Sequence, residues 1–169
     1  MINRKKVISV KQALLILVFA IGATPRAEVF SERLTSGARP AALAGCFVAA
    51  ADDINSPLWN PAGLAEIGGL AAQANYSEVY NINQFWNGAV SVAYPMPGKI
   101  GTVGLSGTYF GIPGLLAENG YMLSYANSIA GKLSLGANVK ILRLVQGEDL
   151  GNTSVLAFDI GAIGRPVPR

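Results

Sequence analysis

Four groups of residues have types and spacings that invite a chemical reading. Asp52-Asp53 is a pair of adjacent carboxylates, the material of general acid–base catalysis. Glu148-Asp149, set between Gly147 and Gly151, offers two oxygen ligands in a glycine-rich loop, as a calcium site would. Cys46 closes Leu43-Ala44-Gly45-Cys46, which has the form of a lipoprotein cleavage box. Gly101, Gly104 and Gly107 are spaced somewhat like a phosphate-cradling loop. Each lacks the context its chemistry requires. Asp52-Asp53 ends an alanine run and reads as a turn or cap. Two carboxylates without further ligand spacing read as a solvated turn. Cys46 follows Arg39 and Pro40 instead of the apolar core of an export signal, and reads as a small buried thiol in an alanine-like slot. The three glycines fall inside a strand, where they would make room for whatever packs there. The chain of 169 residues has no histidine and one cysteine. Internal disulfides are thereby excluded, and the usual zinc and histidine-based catalytic constellations are absent. The expectation is a protein that is not an enzyme and takes no cofactor.

The elements that would position these residues are strands. From Gly69 onward the hydrophobic period is two, and six segments follow. Near Leu70–Tyr76, Leu70, Ala72, Ala74 and Tyr76 oppose Gln73 and Asn75. Near Phe85–Tyr94, Trp86, Gly88, Val90, Val92 and Tyr94 oppose Asn87, Ala89, Ser91 and Ala93. Val103, Leu105 and Tyr109 oppose Thr102, Gly104, Ser106 and Thr108; Tyr121, Leu123 and Tyr125 oppose Met122, Ser124 and Ala126. The fifth segment sets Leu133, Leu135, Ala137, Val139 and Ile141 against Ser134, Gly136, Asn138 and Lys140. The sixth sets Leu156, Phe158, Ile160 and Ala162 against Val155, Ala157, Asp159 and Gly161.

The less apolar faces select the architecture. In a water-soluble sandwich such faces carry many charges. Here they are mostly Gly, Ala, Ser, Thr and Asn, with Lys140 and Asp159 as the charges. Half the chain is hydrophobic, 14% is charged and 20 residues are glycine, yet after the N-terminal region no apolar run is long enough for a spanning helix. Small neutral residues facing a filled lumen, with apolar residues facing lipid, describe a transmembrane barrel. Tyr76, Trp86, Tyr94, Tyr109 and Tyr121 are expected at strand ends, as a membrane girdle requires. The links Ser77–Gln84, Gly111–Glu118 and Val145–Asn152 at one end are expected to be longer than Pro95–Lys99 and Asn127–Gly131 at the other. This assigns the former to the outside of the cell and the latter to the periplasm.

Between the N-terminal region and the strands lies Gly37–Ile67, a segment of small residues that fits neither a strand nor an amphipathic helix. Asn60-Pro61-Ala62-Gly63-Leu64 reads as a helix start, with Asn60 capping free N–H groups and Pro61 in the first turn. The ordered set Gly37-Ala38-Arg39, Ala44-Gly45-Cys46-Phe47-Val48-Ala49, Asp52-Asp53 and Trp59-Asn60-Pro61-Ala62-Gly63-Leu64-Ala65 resembles the N-terminal signature of FadL-type outer-membrane barrels. Within that superfamily it is most similar to the PorV/PorQ group of type IX secretion proteins. The resemblance implies an all-β, antiparallel transmembrane barrel of about fourteen strands, with a small N-terminal plug that contains the Asn60-Pro61-Ala62 element. It makes Gly37, Arg39, Gly45, Phe47, Asp52, Asp53, Trp59, Asn60, Pro61, Ala62 and Gly63 the candidate plug motif.

The first 27 residues read as an export signal, with Arg4, Lys5, Lys6 and Lys11 before the apolar core Ala13–Ala23 and cleavage between Ala23 and Ala27. Its removal takes five of thirteen basic residues and none of the ten acidic ones, leaving eight against ten and a net charge of −2. No basic patch for nucleic acid remains. The expected organisation is a signal over 1–27, a plug over 28–68, and six barrel strands over 69–169. Six strands are fewer than a membrane barrel closes with, so the reading expects further strands beyond them. The resemblance implies the outer membrane of a Gram-negative-type bacterium, with outer-membrane lipid, secretion-system proteins and exported cargo as partners. The alternative it leaves open is a channel for long-chain fatty acids or another hydrophobic small molecule.

Overall fold

The computed structural model describes residues 37–129, 131–147 and 151–165. Residues 1–27, expected to be an export signal, and the Glu148-Asp149 pair lie outside them. Among the described residues the fold is all-β: one antiparallel sheet of six strands in sequential order, preceded by short helical turns. The strands are β1 Ala71–Glu78, β2 Trp86–Met96, β3 Gly101–Ile112, β4 Leu116–Ile129, β5 Leu133–Gln146 and β6 Asn152–Gly164. No helix among the described residues is long and apolar enough to cross a membrane.

The side-chain alternation places the residues on the two faces as the period-two pattern predicts. Ala72, Val92, Leu105, Leu123, Val139 and Phe158 form one continuous row across all six strands. On the other face, Ala93, Gly104, Ser124, Asn138 and Asp159 form a row, and Thr102, Ala126, Gly136 and Gly161 form the next. Burial is inverted relative to a water-soluble sheet. The small and polar face is covered, with Ser91 2%, Ser124 1% and Asn138 2% exposed, while Leu105, Phe158 and Ile160 are 64%, 67% and 90% exposed.

The strands are longer than the alternation alone marks. Five of the eight residues of Gly111–Glu118, expected to be a loop, belong to β3 and β4, so the connection shrinks to residues 113–115. Backbone pairing from Ile112↔Leu116 inward overrides the polar and glycine content of that stretch. Tyr121 consequently lies inside β4 and not at its end. The other aromatics keep their expected places: Tyr76, Trp86 and Tyr109 cluster at one end, with Trp86 stacked on Tyr109 at a 3.9 Å centroid distance.

The segment before the strands folds into α1 Ala38–Ala42, α2 Ser56–Trp59 and a 3-10 turn Pro61–Glu66. It lies on the small-residue face, where Leu64 packs with Ala93 and Ala126, and Phe47, Ala51 and Ala62 pack with Ile163. The alanine run therefore does not form one helix. Leu43 ends α1, Ala44 and Gly45 take positive φ, and the chain turns back on itself. Cys46, expected to be buried, is exposed in this turn; Phe47 next to it takes the buried position.

Candidate functional site

The candidate motif residues assemble into one unit at the junction of this segment and the sheet. Asn60 has extended backbone and caps the 3-10 turn, its Oδ1 accepting from the Ala62 N–H at 3.2 Å. Pro61 follows at the first position, where its missing N–H costs nothing. The sequence reading of Asn60 as a cap covers only half of its role. Its Nδ2 donates to the Val48 carbonyl at 3.0 Å and to the Ala162 carbonyl of β6 at 3.2 Å.

The sheet accommodates this element through two glycines that stand opposite each other on β5 and β6, Gly136 and Gly161. A Cβ on Gly136 would overlap the backbone of Pro61 and Ala62, and one on Gly161 would overlap the Asn60 side chain. Gly104 plays a milder part on β3, lying 3.2 Å from Leu64 Cδ1 by the same construction. Of the three glycines expected to make room inside the third strand, only Gly104 does so. Gly101 and Gly107 stand on the opposite face, beside Tyr125 and Val90.

Polar groups complete the attachment. Asn138 Nδ2 donates to the Pro57 carbonyl and to Asp159, both at 2.8 Å, and Asp159 pairs with Lys140 at 3.0 Å. At the edge of the sheet Glu66 pairs with Arg165 at 3.2 Å and accepts from Ser134 at 3.4 Å. Asn55 Oδ1 accepts from Gln73 of β1 at 2.7 Å. Glu66 was not among the candidate residues, and neither was Asn138. Their signal in the sequence is an acid at the end of the 3-10 turn and an asparagine on the covered face of the most regular strand.

The remaining candidates hold the segment to itself. Arg39 donates to Asp52 at 2.5 Å and to Asp53 at 2.7 Å, and its guanidinium lies 5.2 Å from the centre of the Phe47 ring. These bonds, to Asp52 first and Asp53 second, push the Arg39 pKa above its ordinary value. The two acids are a clasp for one arginine, which gives the turn reading of Asp52-Asp53 a partner. Phe47 meets Trp59 edge to face at 6.1 Å, and Gly45 lies against the Trp59 ring. Gly37, at φ 102, abuts Asn55; Gly63 abuts Ala51 and Ser56 so closely that a side chain would overlap both.

Among the described residues no three acidic or cysteine side chains gather as metal ligands. The unit is one of positioning: it fixes a polar, hydrogen-bonded segment against the small-residue face of β3 to β6. Comparisons with family models, with curated proteins and with solved structures find no match.

Proposed function

We propose that this chain is part of an outer-membrane β-barrel of the PorV/PorQ type, with residues 28–68 as its plug, supporting protein secretion or the surface attachment of exported cargo. The observation that carries the reading is the inverted polarity of the sheet. The face rich in Ser, Asn, Gly and Ala is the covered one, and the face rich in Leu, Val, Ile and Phe is exposed. Water penalises that arrangement by about 25 cal/mol per Å² of apolar surface, and lipid does not. On β5 the outward apolar stretch Leu133–Ile141 spans about 27 Å along the strand, or about 20 Å across a bilayer at the usual tilt, close to the apolar band of such barrels.

The outer edge of β6 supports a further strand. Arg165 N–H donates to Lys132 of β5. Backbone polarity alternates along an antiparallel strand, so the even-numbered residues of β6 direct their N–H and C=O groups away from β5, the Ala162 carbonyl being met there by Asn60. An edge of this kind within lipid requires a pairing strand.

The composition of the covered face favours the secretion role over passage of fatty acids. It presents hydroxyls and amides from Asn87, Ser91, Ser106, Ser124 and Asn138, whereas a route for an acyl chain needs apolar lining. Deletion of the gene is expected to leave exported cargo inside the cell and fatty-acid uptake unchanged. Normal cargo export with lost uptake would favour the hydrophobic channel instead, and no change in either would contradict both.

A further inference from the structure

The N-terminal segment reaches across the covered face between two polar anchors. Asn55 Oδ1 accepts from Gln73 on β1, and the Pro57 carbonyl, two residues on, accepts from Asn138 on β5, at 2.7 and 2.8 Å. Between these anchors the wall is built by β2, β3 and β4, and each contributes a serine: Ser91, Ser106 and Ser124. Their register makes one continuous track. Gln73 stands opposite Ser91, Ser91 opposite Ser106 and Ser124 opposite Asn138, with a single diagonal step from Ser106 to Ser124.

The three hydroxyls are 2%, 7% and 1% exposed, and none has a hydrogen-bond partner among the described residues. Asn138 ends the track in the same condition. Both hydrogens of its amide are spent on Pro57 and Asp159, and its Oδ1 is left without a donor. Buried polar groups in folded proteins are nearly always paired, so these four atoms along one register line mark a place for a partner from outside the sheet. The spacing identifies it. A water bonded to two hydroxyls at about 2.8 Å each spans about 4.6 Å, the separation of a direct cross-strand pair, and two in succession span the diagonal step of about 7–8 Å. A hydroxyl both donates and accepts, so such bonds can run in one direction along the serines and end on the Asn138 oxygen.

We propose that a file of ordered water molecules runs along this track from Ser91 to Asn138 and forms the layer on which the N-terminal segment is seated. The bridge of residues 55–57 is then held directly at its two ends and through water between them. This layer belongs to the covered face and holds whichever solvent meets the outward one.

Met122 is the natural reporter. It stands opposite Ser106, two residues before Ser124 on the same face of β4, and is 7% exposed. X-ray radiolysis of the full chain in detergent splits bound as well as bulk water, so a buried methionine beside ordered water is oxidised to the sulfoxide. Radicals from iron, EDTA and peroxide arrive from bulk solvent alone. The expected result is oxidation of Met122 by X-rays and protection from the iron reagent. In Ser91→Ala/Ser106→Ala/Ser124→Ala the X-ray yield should fall about fivefold while residues 37–67 keep their protease protection. It should be unchanged in Ser154→Ala, on the exposed face. If the triple variant loses that protection, Ser106→Ala alone, beside the reporter, carries the comparison. Met122 left intact by X-rays in the wild-type chain would overturn the proposal without recourse to any variant. Equal oxidation by both reagents would overturn it too, by opening the covered face to bulk solvent, as would an undiminished X-ray yield in a protease-resistant serine variant.

Discussion

The side-chain amide of Asn60 donates to the backbone carbonyl of Ala162, 102 positions later in the chain, at 3.2 Å. That carbonyl points to the open edge of β6, and the same nitrogen also holds Val48. One short side chain thus ties together the cap of a 3-10 turn, the turn before it and the last strand. Asn60→Ala removes all three bonds and is expected to cost about 2 kcal/mol locally, above the ~1 kcal/mol of a simple helix cap. Faster proteolysis within residues 37–67 of the variant would register the loss.

Gly136 and Gly161 form the floor under Pro61. Gly136→Val should displace the N-terminal segment at a cost of about 1–3 kcal/mol, the usual penalty for overpacking. Gly107→Ala should be far milder, because a Cβ there meets Val90 at an ordinary 3.6 Å. Unfolding midpoints in the same detergent separate the two, and equal destabilisation would show that the glycine pair has no special part in seating the segment.

The clasp of Arg39 on Asp52 and Asp53 has a defined response to pH. A cation whose pKa is raised on folding contributes stability below its unfolded value and loses it as pH rises through the folded value. For Arg39 the rise starts from the already high guanidinium value, so protease protection of residues 37–53 should stay constant from about pH 7 to about pH 11. Arg39→Gln should weaken that protection throughout this range. Because Arg39 is exposed, about 1 M salt should reduce the difference between wild type and variant.

The outward face supplies the sharpest mutational contrast. Leu123 sits in the central row of the apolar strip, so Leu123→Lys in a bilayer should cost about 2–4 kcal/mol, while a lysine at Ser154, on the polar outward row, should cost about 0–1 kcal/mol. Unfolding from vesicles in urea measures both. A Leu123→Lys variant as stable as wild type would place that face in water.

Much of this arrangement was legible in the residues because a strand reports its environment every second position. The alternation from Leu70 to Ala162 assigns both faces correctly, and the paucity of charge on the covered face follows from what it packs against. Strand ends were less legible: Gly111–Glu118 looks like a loop by composition, but cross-strand pairing extends β3 and β4 through it. The N-terminal segment was legible as a capped turn at Asn60-Pro61, but its partners were not. Nothing local in Gly136, Gly161 or Asn138 marks them as its seat, because contacts across some 80 to 100 positions arise only when the sheet brings β5 and β6 beneath it. Cys46 was misplaced for a related reason: in a largely exposed turn, Phe47 and not the smaller thiol gained more from burial.

The central claim is that one face of the sheet meets lipid and the other meets the protein's own N-terminal segment. Single cysteines introduced from Tyr121 to Tyr125 in a Cys46→Ala background, spin-labelled in vesicles, test it through collisions with oxygen and with a water-soluble nickel chelate. Labels at 121, 123 and 125 should be open to oxygen and closed to nickel, and labels at 122 and 124 closed to both. Strong nickel access at 121, 123 and 125 would put the apolar face in water and contradict the account.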